Sequence, residues 1–554
     1  MLQLVFFICL GLSAIALLIF DPVWGFYDSF MALLSSGSLN NVFLMESYHL
    51  GLRGIIPLLS FLHHKLPLLP WMGIIMLLSW VFVQTVLVFI CAGCFPNQKQ
   101  WLVVAGLWCG LQLFVFGVSF IEFSITGMGM LLTFTAVIAL YFTKSYSGLL
   151  KWGLWFISAI AIFIGYGMRI ESGVGGTLLA FVFIVCTEQK LVEWLKTLWL
   201  PAAISIYSIT GYQLAVKQNG FFDKVEPLVF YVTDSKNKPD FAAKDTIDAV
   251  KIEMATSSCL IDTSVLSYSF FVRLGNEKKQ FEKKLLQSPS AVLNQIVNVI
   301  GPTIKDNKVF TAIVILIVFI SLLATYLHNK REIAFRLVLF NCITISIILF
   351  LAYSMKMEKW HFIPLMQILA IGNLLISGKY VWSTLKTNTI FKIALATLAL
   401  FSLLFLVNEN QANHISLNEK IAQQEQLYEA HKESYLFYDI GTRELLDNYV
   451  FRPFSQRNNV YFYDMAQMTY LKEYAVHLNN LCGCNSFSPV EFFSFLKQTD
   501  SVVYISTPQR TNLLKRYMQT IYQMPITFTV QHHEKLRVVK HTQGIEQFAV
   551  YQVE

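Results

Sequence analysis

The sequence predicts a mainly α-helical, polytopic membrane protein with about eleven transmembrane helices and a C-terminal α/β extracytoplasmic domain. Three observations carry that class. Of 554 residues, 55% are hydrophobic and only 14% are charged, whereas a soluble globular chain is about a quarter charged. The mean hydropathy is +0.53. Apolar runs long enough to cross a hydrocarbon core as helices, roughly 17–25 residues, recur up to about residue 407, and beyond it short apolar runs alternate with amphipathic ones.

The predicted spans are 1–20, 71–93, 101–120, 125–142, 152–168, 172–187, 196–215, 308–327, 335–354, 361–378 and 388–407. The first has no charged n-region and no A-x-A site, so it reads as a retained helix and not as a cleaved signal. Four blocks result: an N-terminal transmembrane module at 1–215, an extracytoplasmic insertion at 216–307, C-terminal transmembrane helices at 308–407, and a soluble α/β extracytoplasmic domain at 408–554. The insertion has helical pattern at 241–254 and 276–286. It is too long for a connector, and reads as a substrate-covering element or as a passive cap. In the last block strands are expected at 435–440, 460–464, 501–506, 527–531, 535–540 and 548–553, with helices at 442–450, 466–480, 490–498 and 509–523. That alternation predicts a partly parallel sheet. No Gly-rich phosphate loop and no G-x-S-x-G elbow occurs in it, so binding or support is its expected role.

Short loops set the orientation. With the N-terminus inside, the inner loops hold ten basic residues (Lys99, Lys144, Lys151, Lys190, Lys196, Lys330, Arg331, Arg336, Lys379 and Lys386). The outer short loops hold five (Arg53, Lys65, Arg169, Lys356 and Lys359). The bias favours a cytoplasmic N-terminus and an extracytoplasmic C-terminal domain in the cytoplasmic (inner) membrane. It also accounts for much of the net charge of +7, so no nucleic-acid partner is called for. Cysteine and histidine spacings contain no zinc pattern and no metal site is assigned; whether a divalent metal is used is left unknown.

The outer face carries the chemistry. The first loop holds Asp21, Asp28, Glu46, His49, Arg53 and His63-His64, the second Glu122, the third Arg169 and Glu171, and a later one Lys359 and His361. Ionisable groups at a membrane boundary are costly, and function is their default reading. Carboxylates there suit a general base for a hydroxyl acceptor, and cations suit a departing lipid phosphate. Asp28 is assigned as the base, with Glu122 or Glu171 as the second carboxylate, and Arg169, Lys359, His361 and Arg53 as phosphate partners. Each has a plainer reading. Asp28 also fits an N-cap, Glu122 a pair with a basic loop residue, and Arg169 with Glu171 a snorkelling pair. His63-His64 reads as solvated residues of an interfacial helix.

An acid directly after the first span, an interfacial helical loop, further carboxylates in the next outer loops and a C-terminal outer domain together resemble the GT-C superfamily of integral-membrane glycosyltransferases. Tyr27-Asp28-Ser-Phe-Met-Ala-Leu-Leu-Ser-Ser-Gly, Phe43-Leu-Met-Glu-Ser-Tyr-His-Leu-Gly, Leu68-Leu69-Pro70-Trp71 and Gly165-Tyr-Gly-Met-Arg169-Ile-Glu171-Ser are similar to a group of uncharacterised bacterial membrane proteins. In that group two adjacent acids precede the Phe-Met pair; here Tyr27 stands in the first place. The resemblance implies inverting transfer, with or without a metal, from a polyprenyl-phosphate or polyprenyl-diphosphate sugar. The acceptor would be a lipid, a cell-wall polymer, a glycan or a protein. Two other classes stay open: a transporter or flippase of a lipid-linked solute, for which 165–176 offers a Gly-rich interruption, and a non-catalytic membrane scaffold.

Overall fold

The computed structural model describes residues 2–24, 32–33, 36, 55–93, 122–187, 191–218, 225, 228–229, 231–232, 239–257, 262, 265–354, 357–387, 389–439, 448–455, 457–462, 472–483, 488–499, 501–537 and 545–553. In chain order the first part comprises α1 (Leu2–Phe20), β1 (Val23–Trp24), α2 (Ile56–Lys65), α3 (Trp71–Gly93), β2 (Glu122–Phe123), α4 (Ile125–Phe142), α5 (Gly148–Met168), α6 (Ile170–Thr187) and α7 (Leu191–Gln218). An inserted part contributes α8 (Thr246–Thr256), α9 (Tyr268–Leu286) and α10 (Pro289–Asp306), and α11 (Lys308–Leu327), α12 (Arg331–Ser354), α13 (Lys359–Thr387) and α14 (Thr389–Ala430) follow.

The chain is mainly helical. Seven helices among the described residues, α3, α4, α5, α6, α11, α12 and α13, contain stretches long and apolar enough to cross a membrane, which makes this a multi-pass membrane protein. Helices α1, α7 and α14 lie where spans were expected at 1–20, 196–215 and 388–407 but are not among those seven, and span 101–120 lies outside the described residues, so seven of the expected eleven are shown. The nearly continuous apolar stretch 152–187 is two helices separated by Arg169 alone, which is extended with φ −161°.

Helix α4 is the axis of the membrane part: 94% of its span is buried, against 28% for α5 and for α12. Small residues let its neighbours approach to backbone distance, as is usual where helices meet without a hydrophobic drive between them. A Cβ on Gly129 would stand 3.1 Å from the Gly165 carbonyl oxygen, and one on Gly176 would stand 2.5 Å from that of Met130. Inside the apolar part Asn341 and Asn373 exchange amide hydrogen bonds of 3.1 and 2.5 Å, tying α12 to α13. The outward faces of α5 and α12 expose Leu149, Trp152, Phe156, Phe335 and Phe350, a surface that suits acyl chains and not water.

The inserted helices do not stand apart. Asp245 caps α8, accepting from the Asp248 amide at 2.7 Å. Asp248 in turn takes a two-pronged contact from Arg273 at 2.8 and 2.7 Å, which holds its carboxyl below the usual range. Gln295 and Thr303 of α10 donate to the Tyr353 and Met357 carbonyls at 2.6 and 2.8 Å.

The C-terminal part contains β3 (Tyr435–Tyr438), β4 (Val460–Phe462), α15 (Lys472–Cys482), α16 (Pro489–Gln498), β5 (Val502–Ser506), α17 (Pro508–Tyr522), β6 (Phe528–Arg537) and β7 (Ile545–Val553). The strands form one sheet in the order β4-β3-β5-β7-β6. β3 runs parallel to β4 and β5, and β7 antiparallel to β5 and β6. Where two strands were expected at 527–531 and 535–540 there is one, β6, kinked by an irregularity between Val530 and His532. The expected helix at 442–450 does not extend to its end: Tyr449 bridges Val23 of β1 instead.

The sheet part is fastened to both other parts. Asp262 of the insertion accepts hydrogen bonds from Tyr517, at 2.8 Å, and from Tyr522. Arg516 pairs with Glu253, and Arg510 donates to the Ser257 carbonyl at 2.9 Å. Towards the membrane part, the Val450 amide donates to the Pro22 carbonyl at 3.1 Å. His414 of α14 donates from Nε2 to the carbonyls of Phe20 and Asp21 at 3.2 and 3.0 Å. These are end carbonyls of α1, left over wherever a helix stops.

Candidate functional site at the loop end of the helices

The C-terminal end of α1, the N-terminal ends of α3, α4, α6 and α13, and the C-terminal end of α5 meet at one end of the bundle. A two-residue parallel pair fixes the junction, with Val23 opposite Glu122 and Trp24 opposite Phe123. Phe123 is fully buried and packs edge-on against Phe451 of the C-terminal part, ring centroids 6.3 Å apart. The chain therefore enters its first loop beside Glu122 and beneath 449–454.

From β2 the charged residues build outward. Glu122 forms an ion pair with Lys359, the first residue of α13, and their side chains are only 16% and 10% exposed. Ser124 caps α4, accepting from the Gly127 amide at 3.3 Å. Thr126, in the first turn of α4, accepts from Arg169 Nη1 at 3.0 Å. Arg169 Nε lies 3.5 Å from the Glu171 carboxylate, whose side chain is 65% exposed, so that second pair adds little stability. His361 stands two residues into α13, its ring 5.9 Å from that of Trp360.

Of the residues assigned from sequence, Glu122, Thr126-bound Arg169, Glu171, Lys359 and His361 thus gather at this end of the bundle. Asp28 and Arg53 lie outside the described residues, as do Glu46 and His49. The pairing reading of Glu122 has a named partner, Lys359. This divides the cations: Lys359 is already neutralised by a close carboxylate, while Arg169 keeps donors that neither Thr126 nor Glu171 uses.

A second feature adjoins β1. Helix α2 and the start of α3 form, with 450–454, a small pocket of about 20 Å³ lined by Trp24, His63, Met72, Val450, Arg452 and Phe454 among others. Here the structure corrects the sequence reading. His63 is not a solvated interface residue: it is 4% exposed, and neither ring nitrogen has a hydrogen-bond partner. Burial pulls its pKa down to about 4, so it is neutral at pH 7. The indole N–H of Trp24 is likewise buried without a partner. Arg452, by contrast, is occupied: it reaches Asp21 at 3.4 Å and lies over the Tyr449 ring at 4.1 Å.

The phase of α2 explains the inward histidine. Ile55, Leu59 and His63, spaced by four, are buried, while Leu58, Phe61 and Leu66 are exposed. The helix lies with an apolar face outward, as an interfacial helix does, and that turns His63 to the protein. The stripe of Ile55, Leu59 and His63 was the available signal. Trp24 and Arg452 carried none, since both depend on the β1 contacts.

Among the described residues no group of three or more His, Cys, Asp or Glu is placed to hold a metal ion. No protein-family model, curated protein or solved structure matches this chain.

Proposed function

We propose that this protein is a glycosyltransferase that moves a sugar from a polyprenyl-phosphate donor to an acceptor at the outer face of the cytoplasmic membrane. The observation that supports it is the convergence of Glu122, Arg169, Glu171 and Lys359 at one end of an apolar helix bundle, beside the strand that leads into the Asp28 loop. A lipid-borne substrate presents its phosphate at that depth. In this reading Asp28, four residues past Trp24, takes the proton of the acceptor hydroxyl. The hydroxyl oxygen attacks the anomeric carbon, and the bond from that carbon to the phosphate oxygen breaks. The lipid phosphate leaves with the electron pair, and Arg169 meets its charge with a planar fork. Glu122 and Lys359 hold the β2 end in place, with His361 and Arg53 as further phosphate partners and Glu171 as the exposed second carboxylate. The α/β part, fastened to the insertion, covers this face.

The glycines at 165–176 sit at helix contacts, Gly165 and Gly176 against α4 and Gly173 against the Tyr166 ring, and a transporter or flippase is the alternative that the experiment below separates. The scaffold reading draws on the closed Glu122–Lys359 pair. The deciding experiment compares the surface glycans and lipid-linked sugars of a deletion strain complemented with wild type or with Asp28→Ala. We expect wild type alone to restore the missing glycan, with the variant present at normal membrane levels. Full restoration by Asp28→Ala, or no glycan change on deletion, would overturn the proposal.

A further inference from the structure

We infer that the α9–α10 turn of the insertion rests on the membrane: α10 lies in the boundary of the leaflet at the loop end of the bundle, and the exposed lysines of α9 take the phosphate groups of anionic phospholipids beside it.

The placement of α10 carries the first half. Only Asn307 separates α10 from α11, whose spanning stretch begins at Lys308. Farther back, Gln295 holds the carbonyl of Tyr353, the last residue of the spanning stretch of α12. Thr303 holds the carbonyl of Met357, between α12 and α13. The two anchors are eight residues apart, about 12 Å of helix, and both sit where membrane spans end. The helix therefore runs along the membrane boundary and not away from it.

Its faces agree. At about 100° per residue, Gln295, Val299 and Thr303 form the side turned to the bundle, and all three are buried. Leu293, Val297 and Ile304 fall within about 40° of one another on a second side, and all three are exposed. Asn294, Asn298 and Lys305 make a third side, exposed and polar. A helix at the rim of a bundle in a membrane surface has three surroundings: protein, acyl chain and water. The three sides of α10 match them in turn.

Charge carries the second half. Helix α9 reaches the turn with Lys279, Lys283 and Lys284 exposed, and only Gln287 and Ser288 separate it from α10. Its acids are engaged elsewhere. Glu282 accepts from Tyr231 at 2.6 Å and lies 3.7 Å from Lys278, and Glu277 lies 3.9 Å from Arg273. Asp306, the last residue of α10, is bracketed by Lys305 and Lys308. The exposed charge at the turn is thus positive, and it faces a surface whose phosphates are fixed at the same depth. Lysine suits that partner, since its ammonium is a point charge on a long stem that reaches a headgroup while its methylenes stay at the boundary.

The inference does not rest on the glycosyl-transfer reading. Its test uses the full chain in nanodiscs of equal parts phosphatidylcholine and phosphatidylglycerol. A photo-reactive benzophenone amino acid is placed singly at 293, 294, 297 or 298, all exposed positions, and adducts are identified by mass spectrometry after illumination. Lipid adducts should form at 293 and 297 and be about tenfold rarer at 294 and 298. At 293 phosphatidylglycerol should outnumber phosphatidylcholine about fivefold, the preference expected from one lysine near the surface. With Lys279→Gln, Lys283→Gln and Lys284→Gln combined, the two lipids should come within about twofold of each other. The inference is overturned if 298 labels lipid as often as 297, if the adducts at 297 are to a second protein chain, if phosphatidylglycerol is not enriched, or if its enrichment survives loss of the three lysines.

Discussion

Two polar sites flank the β1–β2 pair and are built on opposite terms. At β2, Glu122 and Lys359 satisfy each other in a nearly dry setting. At β1, Trp24 and His63 keep their hydrogen-bonding capacity unspent beside a pocket. Both cost desolvation. The first recovers it within the fold, so its purpose is served with nothing bound; the second recovers it only when a ligand or water arrives. Charge alone therefore does not mark where polar groups are left unmet here. The conspicuous ion pair holds the junction, and the inconspicuous neutral histidine is the group left unmet.

The comparison breaks most readily at the ion pair. Lys359→Met should destabilise by about 3 kcal/mol, since it strands the Glu122 carboxylate. The double variant with Glu122→Gln should recover most of that loss, as read by thermal unfolding in nanodiscs. If the double is no more stable than the single, the two residues do not form a closed unit. A smaller effect is expected at the other wall. A Cβ on Gly73 would collide with the Val450 carbonyl, so Gly73→Ala should cost about 2 kcal/mol. Hydrogen exchange should quicken across 448–454, where unchanged protection would mean that α3 does not seat that segment.

A third effect is a pH dependence. His63 in the fold has its pKa down at about 4, against about 6.5 when unfolded. Between those values the unfolded chain binds a proton that the native chain refuses, so stability is full above about pH 6.5 and falls as pH drops through that window. His63→Phe should flatten this slope in a denaturation series between pH 7 and 4, and a slope equal to wild type would place the titration elsewhere.

Much of the molecule is legible in its sequence. Composition and run length give the membrane class, and the outer-loop inventory names Glu122, Arg169 and Lys359 together. Two features are not legible there. Glu122 meets Lys359 across 237 positions of chain, and β1 pairs with β2 through two residues each; neither leaves a periodic pattern. The direction of His63 is half legible. Its period with Leu59 is visible, but adjacent histidines on a short interfacial helix differ by about 100° of rotation, and only packing decides which one turns inward.

Helix α14 is 42 residues long, about 63 Å at the α-helical rise. Beyond His414 it runs on towards β3 for another sixteen residues, about 24 Å at that rise. The rod touches the membrane part through His414, which grips the end of α1. It is mechanically a strut braced at the loop end of the bundle. The sheet part is held at both ends of that length, by β3 leading off α14 and by its contacts to β1 and β2, so the angle of one helix and the seat of the sheet part are fixed together.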